Sequence, residues 1–393
     1  MLLRCSLRRA PSLNSHNTPF PRLVPPISRS FSLLLGLLFL CSNASAEVSI
    51  TDLGTLGGDH SFAIAINDFD QVVGESRPSG NQDPHIFLYS GGNLIDISAA
   101  NNIGPGTYAS TANAISNWGQ IAANISNGHA AILVQGTTTD LGTFGGIYSV
   151  ALGINNASQA VGYYSSPGFL NHAFLYSNGN MTPLGPFGVE ATSIARGIND
   201  AGTIVGSATD SFSIPSHAFV YANGVMTDIS PFGNSESYAH AINNNGEIVG
   251  EYLTADNSAF HAFIYKNGVF TDIGSATSSE TVAYAINDHG QVVGSTWVLR
   301  ADSCRTCQEY ESHAFVYVDG TLFDLNSLLP PGSPWKLMEA FGINNNGKIV
   351  GYGLINGRFH AYMFTWSRLQ RPSADPVRPA NPELTGRSHL PRR

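Results

Sequence analysis

Ala239-His-Ala-Ile-Asn-Asn-Asn-Gly-Glu-Ile-Val-Gly250, then His261-Ala-Phe-Ile-Tyr265, then Lys266-Asn-Gly-Val-Phe-Thr-Asp-Ile-Gly274, is the stretch that decides the fold. Residues 239–243 alternate small and polar side chains, as a strand does. Asn244-Asn-Gly246 supplies a turn that needs positive φ, and Glu247-Ile-Val-Gly250 returns as a second strand. His261 to Tyr265 alternates faces as a third, and Asn267-Gly268 turns it into a fourth. Four short antiparallel strands joined by tight turns make one sheet of about 44 residues.

The same sentence recurs seven times. Its Ile-Asn dipeptide (Ile-Ser once) starts at Ile66, Ile115, Ile154, Ile198, Ile242, Ile286 and Ile343. A fixed period of about 40–45 residues with several strands per unit is the pattern of a β-propeller blade. The expected fold is therefore all-β, a seven-bladed β-propeller over residues 47–366. Alanines crowd the first strand (Ala63, Ala65, Ala151, Ala195, Ala283, Ala285), so that strand belongs at the axis, where blades converge. The aromatic third strand then packs between blades. The repeats begin with a lone fourth strand, Val48 to Leu53, and stop after a third, His360 to Phe364. Pairing these two closes the ring, removes two open sheet edges and sets the count at seven.

The flanks read differently. Residues 1–46 carry five Arg and no acid, and Phe31 to Leu40 is an apolar run of ten ahead of Ala44-Ser-Ala46. That is an export signal with a cleavage site, placing the mature start near Glu47. The run is too short to span a bilayer stably, so no membrane span is expected after cleavage. Cys41 follows Leu40 where a lipid-attachment signal wants a small residue, which argues for simple cleavage. The 30 residues before the run are long for such a signal, and a translation start nearer Val24 would give an ordinary length. Residues 367–393, with five Pro and six Arg, read as a disordered tail. The product is expected to be secreted or periplasmic, and monomeric.

Charge excludes one class of partner. Residues 47–366 hold eight basic and 26 acidic residues, net −18, and such a body repels nucleic acid. A content of 42% hydrophobic against 12% charged residues is ample for a buried core.

His172-Ala-Phe174, His217-Ala-Phe219, His261-Ala-Phe263 and His313-Ala-Phe315 are full copies of one tripeptide. His85-Ile-Phe87, His129-Ala-Ala131 and His360-Ala-Tyr362 are variants, and Asp52-Leu-Gly-Thr-Leu-Gly-Gly58 and Asp140-Leu-Gly-Thr-Phe-Gly-Gly146 complete the pattern. On these residues the chain resembles the extracellular HAF-repeat family over residues 47–366. The resemblance implies secretion and a repeated β fold; it carries no reaction and no catalytic residues.

Candidate chemistry is sparse. The seven strand histidines fall in seven different blades, so none should meet another at ligand distance. The structural reading pairs each with a loop carbonyl or with the Asp of the neighbouring Thr-Asp-Leu-Gly. Asn67-Asp-Phe-Asp70 resembles half a calcium loop, but the other repeats offer too few carboxylates for one; no metal or other cofactor is expected. Cys304-Arg-Thr-Cys307, in the longest insertion, reads as a disulfide outside the cytosol rather than a redox or zinc motif. No nucleophile elbow, zinc-protease helix or phosphate loop occurs.

What differs between blades lies in the segments leading into each innermost strand: Asp59, His60, Tyr108, Tyr148, Glu190, Glu236, Tyr238 and Glu280. Aromatics beside carboxylates suit sugar stacking or peptide capture; ordinary polar surface is the competing reading. The expected function is a non-enzymatic scaffold that binds a glycan or protein through one face. The alternative is an extracellular hydrolase or lyase of polysaccharide using carboxylates on that face.

Overall fold

A computed structural model of the protein describes residues 47–369, apart from short loop segments at 81–82, 105–109, 169, 186–190, 210–214, 232–235, 257, 275–279 and 301–308. The expected export signal, the tail beyond 369 and the expected Cys304–Cys307 disulfide lie outside the described residues. Seven four-stranded antiparallel sheets form the seven blades of a β-propeller. Blade 5, the one that decided the reading, runs Ser237–Ile242, Ile248–Leu253, Phe260–Lys266 and Val269–Asp272. Asn267 and Gly268 both take positive φ, 50° and 83°, as the two-residue turn between the last two strands requires.

The ring closes as the repeat register demands. Val48–Gly54 pairs antiparallel with Arg358–Trp366, setting Ile50 opposite Phe364 and Asp52 opposite Tyr362. It thereby becomes the outer strand of blade 7. The buried apolar side chains fall into seven clusters, each shared by two neighbouring blades. The third residue of the tripeptide is fully buried in six blades, as Phe87, Phe174, Phe219, Phe263, Phe315 and Tyr362. In blade 2 that place is taken by Ala131, and Ile97, from the short helix Ile97–Ala100 after blade 1, lies in the same cluster.

The tripeptide histidine has a structural partner. His85, His129, His217, His261 and His313 place Nδ1 2.7–3.0 Å from the outer-strand carboxylate of their own blade, at Asp96, Asp140, Asp228, Asp272 and Asp324. His360 meets Asp52 at 2.9 Å, so the closing strand reproduces the pair with residues from opposite ends of the chain. The other carboxylate oxygen usually accepts from a backbone N–H two residues on, as Asp52 does from Gly54 and Asp272 from Gly274. In blade 3 Pro183 stands opposite Phe174 where other blades have Asp, and His172 turns to the Ser166 hydroxyl at 3.2 Å.

One feature went beyond simple alternation. Every innermost strand carries a register shift two or three residues before its Ile, as between Ala195 and Gly197 or Ala239 and Ala241. The bulge brings the inner-strand carbonyl of Ile194 or Tyr238 onto the second strand, where a Cβ on Gly206 or Gly250 would overlap it. That close approach is why Val-Gly recurs.

Candidate functional site

Each innermost strand runs along the axis in the same sense, and the seven together line a channel. Ile66, Ile115, Ile154, Ile198, Ile242, Ile286 and Ile343 line the space on both sides of them, as an apolar collar. The collar divides a polar ring, where the strands end, from a cavity of about 300 Å³ on the side where they begin.

The polar ring is built by the repeated Asn. The first Asn of each turn bonds its own loop and the next blade: Asn243 Oδ1 accepts from the N–H groups of Asn245 and Glu247, and its Nδ2 donates to the Asn287 carbonyl at 2.9 Å. The following residues form a closed circuit. The backbone N–H of Asp68, Asn117, Asn156, Asp200, Asn244, Asp288 and Asn345 each donates to the side-chain Oδ1 of the next, at 2.8–3.0 Å, and Asn345 returns to Asp68. No two of the three Asp are neighbours, and each Oδ2 accepts from two flanking Asn amides. Three is the most carboxylates a seven-membered ring can hold without setting two side by side. The ring is thus satisfied within itself. Among the described residues, no three His, Cys, Asp or Glu side chains converge as a metal site would require.

The other side of the collar is where the blades differ. In the frame Ala-x-Ala/Gly-Ile-Asn, the bulge turns x into the channel, and x is Ile64, Asn113, Leu152, Arg196, His240, Tyr284 and Phe341 in turn. The Arg196 Nη1 donates to the Ser207 hydroxyl at 2.6 Å, and its guanidinium lies 5.6 Å from the centre of the Tyr238 ring. Burial lowers its pKa, with Tyr238, Glu251 and Tyr163 opposing. His240 Nε2 is 3.3 Å from Glu251 Oε1, with only 18% and 19% of the two side chains exposed. Burial holds the imidazole below its usual pKa although Glu251 pulls the other way, so it is neutral at pH 7.

Beyond His240 the wall becomes aromatic. His240, Tyr284, Phe341 and Tyr352 follow one another at centroid distances of 6.1, 5.1 and 5.9 Å, and Phe62 meets Tyr352 edge-on at 4.9 Å. Glu339 sits among them. The Tyr352 hydroxyl donates to its carboxylate at 3.2 Å, and burial pushes the Glu339 carboxyl above the usual carboxylate range despite that bond. Burial, then the charge of Glu339, lifts Tyr352 to about 12 and raises Tyr284 further.

Of the residues singled out from sequence, Asp59 and His60 lie early in the innermost strand of blade 1, Gly57–Ile66, their side chains 2.8 Å apart. Tyr148 opens the innermost strand of blade 3, its ring edge-on to Tyr163 at 6.2 Å. Glu236 and Glu280 precede those of blades 5 and 6, where their carbonyls accept from Leu253 and Trp297. Tyr238 lies inside its strand, half-buried beneath Arg196 rather than on an open loop. Tyr108 and Glu190 lie outside the described residues. Arg196, His240, Glu251, Tyr284, Glu339 and Phe341 were not singled out. The signal for Arg196, His240, Tyr284 and Phe341 was the one variable letter inside a frame of small residues, which alternation alone does not turn toward the axis.

No family model matches the chain, and no curated protein does. Among solved structures it is similar to the β-propeller domain of the Trilobed protease from Pyrococcus furiosus, at 12% identity and a TM-score of 0.44, over 67% of this chain and 81% of that one. It is similar to a prolyl endopeptidase at 10% identity and 0.49, over 82% of this chain and 50% of that one. TolB from Acinetobacter baumannii follows at 13% and 0.42, over 76% and 64%. At these identities the likeness shows the propeller fold alone. The chain spans half the length of the prolyl endopeptidase it matches. Among the described residues, no helix is long and apolar enough to cross a membrane.

Proposed function

We propose that the chain is an exported propeller of the HAF-repeat type that captures a glycan or protein ligand in the mouth of its channel where the innermost strands begin. The observation that carries this reading is the contrast between positions. Collar, polar ring and blade seams repeat in nearly every blade, whereas the seven bulge positions present seven different side chains to one cavity. A ring of identical blades has no unique place for a ligand, and variation confined to the channel wall creates one. The test is to obstruct the channel. Leu152→Trp should abolish capture of ligands found by screening the protein on a glycan array and against envelope fractions, with unfolding unchanged. Capture that survives the obstruction would move the site to the rim.

A second reading, an extracellular hydrolase or lyase, is favoured by one observation: two acids bond residues of the channel wall, Glu251 at His240 and Glu339, its carboxyl raised by burial, at Tyr284. If substrate is consumed, Glu339→Gln should abolish turnover while leaving ligand bound.

A further inference from the structure

Arg196 forms no ion pair among the described residues, although Glu251 lies near enough for its charge to act on it. Among the described residues its one hydrogen bond goes to a neutral hydroxyl, its guanidinium lies over the Tyr238 ring, and no carboxylate lies within ion-pairing distance. Glu251, the acid of that sector, is engaged by His240 instead. A guanidinium carries five donors in a rigid fork matched to a planar two-oxygen anion, and one withdrawn from water is unfavourable unless such a partner arrives. The remaining wall asks for something else. Its aromatic lining residues Tyr284 and Phe341, next to His240, offer faces for an apolar ring surface.

We propose that this cavity binds an acidic sugar unit of a polysaccharide, whose carboxylate is taken by Arg196 and whose ring lies against the aromatic wall. This rests on the channel-binding reading above and narrows it. A uronic acid unit brings both requirements together: a planar carboxylate for the fork and a C–H face for the aromatics. A peptide carboxyl terminus would satisfy Arg196 but brings no sugar ring face for the aromatic wall. A cavity of about 300 Å³ is at the small end for ligand sites, which suits one terminal or looped-in sugar rather than a folded domain.

Calorimetric titration of the protein with an oligogalacturonate, its carboxyl-reduced neutral counterpart and a short peptide with a free carboxyl terminus tests this. The acidic sugar should bind at least about tenfold tighter than the neutral one, a difference of about 1.4 kcal/mol. Arg196→Gln should erase that preference and leave neutral-sugar binding in place. Arg196→Lys, which keeps charge but not the fork, should lose most of it; both variants are first matched to wild type in melting. Equal binding of the two sugars, or binding of the peptide alone, overturns the acidic-sugar inference while channel capture stands. Acidic-sugar binding that persists in Leu152→Trp overturns the channel site itself. No binding by any of the three probes overturns the inference.

Discussion

Replacing Asn243 by alanine separates two jobs that one side chain performs, holding its own turn and clipping its blade to the next. Asn243 is 4% exposed. Its Oδ1 accepts from the backbone N–H groups of Asn245 at 3.0 Å and Glu247 at 2.9 Å. Its Nδ2 donates to Glu247 Oε2 at 2.6 Å and, across the seam, to the Asn287 carbonyl at 2.9 Å. Alanine removes all four bonds. The Asn287 carbonyl keeps the N–H of Gly290, so the main loss is two backbone donors left in a cramped turn. At about 1–3 kcal/mol for each buried group left unpaired, with some relief from water, the total is about 3 kcal/mol. The chain contains its own control. In blade 2 Ser116 occupies this place; its Oγ accepts from Trp118 and Gln120 at 3.3 Å each, and the Trp118 indole N–H reaches the Asn156 carbonyl instead. Asn243→Ser should therefore keep the turn and lose only the clip, costing about 1 kcal/mol. Urea unfolding followed by far-ultraviolet dichroism, at constant denaturant slope, reads both. If serine costs as much as alanine, the turn bonds contribute nothing; if both cost under about 0.5 kcal/mol, the axial network is not what holds the blades.

Two further outcomes follow from the blade seams. His313 bonds Asp324 at 2.7 Å and Glu311 at 3.0 Å, and the Asp324 bond, with Glu311 adding, raises its pKa against burial. A raised histidine stabilises fully below its unfolded value of about 6.5 and loses that contribution as pH rises through the folded value. Glu311, lowered chiefly by Lys336, stabilises above its unfolded value of about 4.3 and loses it as pH falls. The destabilisation of His313→Ala should thus be larger at pH 5.5 than at pH 8.5 in paired unfolding curves, and a pH-independent difference would refute the pairing. Deleting residues 47–56 removes the strand beside Arg358–Trp366 and the Asp52–His360 pair. Size-exclusion chromatography should then show aggregates, and a monomer melting as wild type would refute the closure.

The sequence by itself determined the fold down to the ring closure. The repeat period, the turn glycines and the phase of Val48 to Leu53 against His360 to Phe364 are local patterns, and each states its own hydrogen-bonding needs. It also identified the tripeptide histidine as a structural group, because an Asp stands eleven residues after it in five blades. The channel was decided only by tertiary structure. A single-residue bulge cannot be seen in alternating letters, yet it sets which face Arg196, His240 and Tyr284 present. It took them from positions that alternation leaves undistinguished and turned them to the axis. There, residues 44 apart in sequence become neighbours, and burial alters their charge and proton affinity. The Asn and Asp circuit is the same case at the other end: its letters are visible in every repeat, but whether a carboxylate sits beside an amide or another carboxylate depends on the order in which seven blades close.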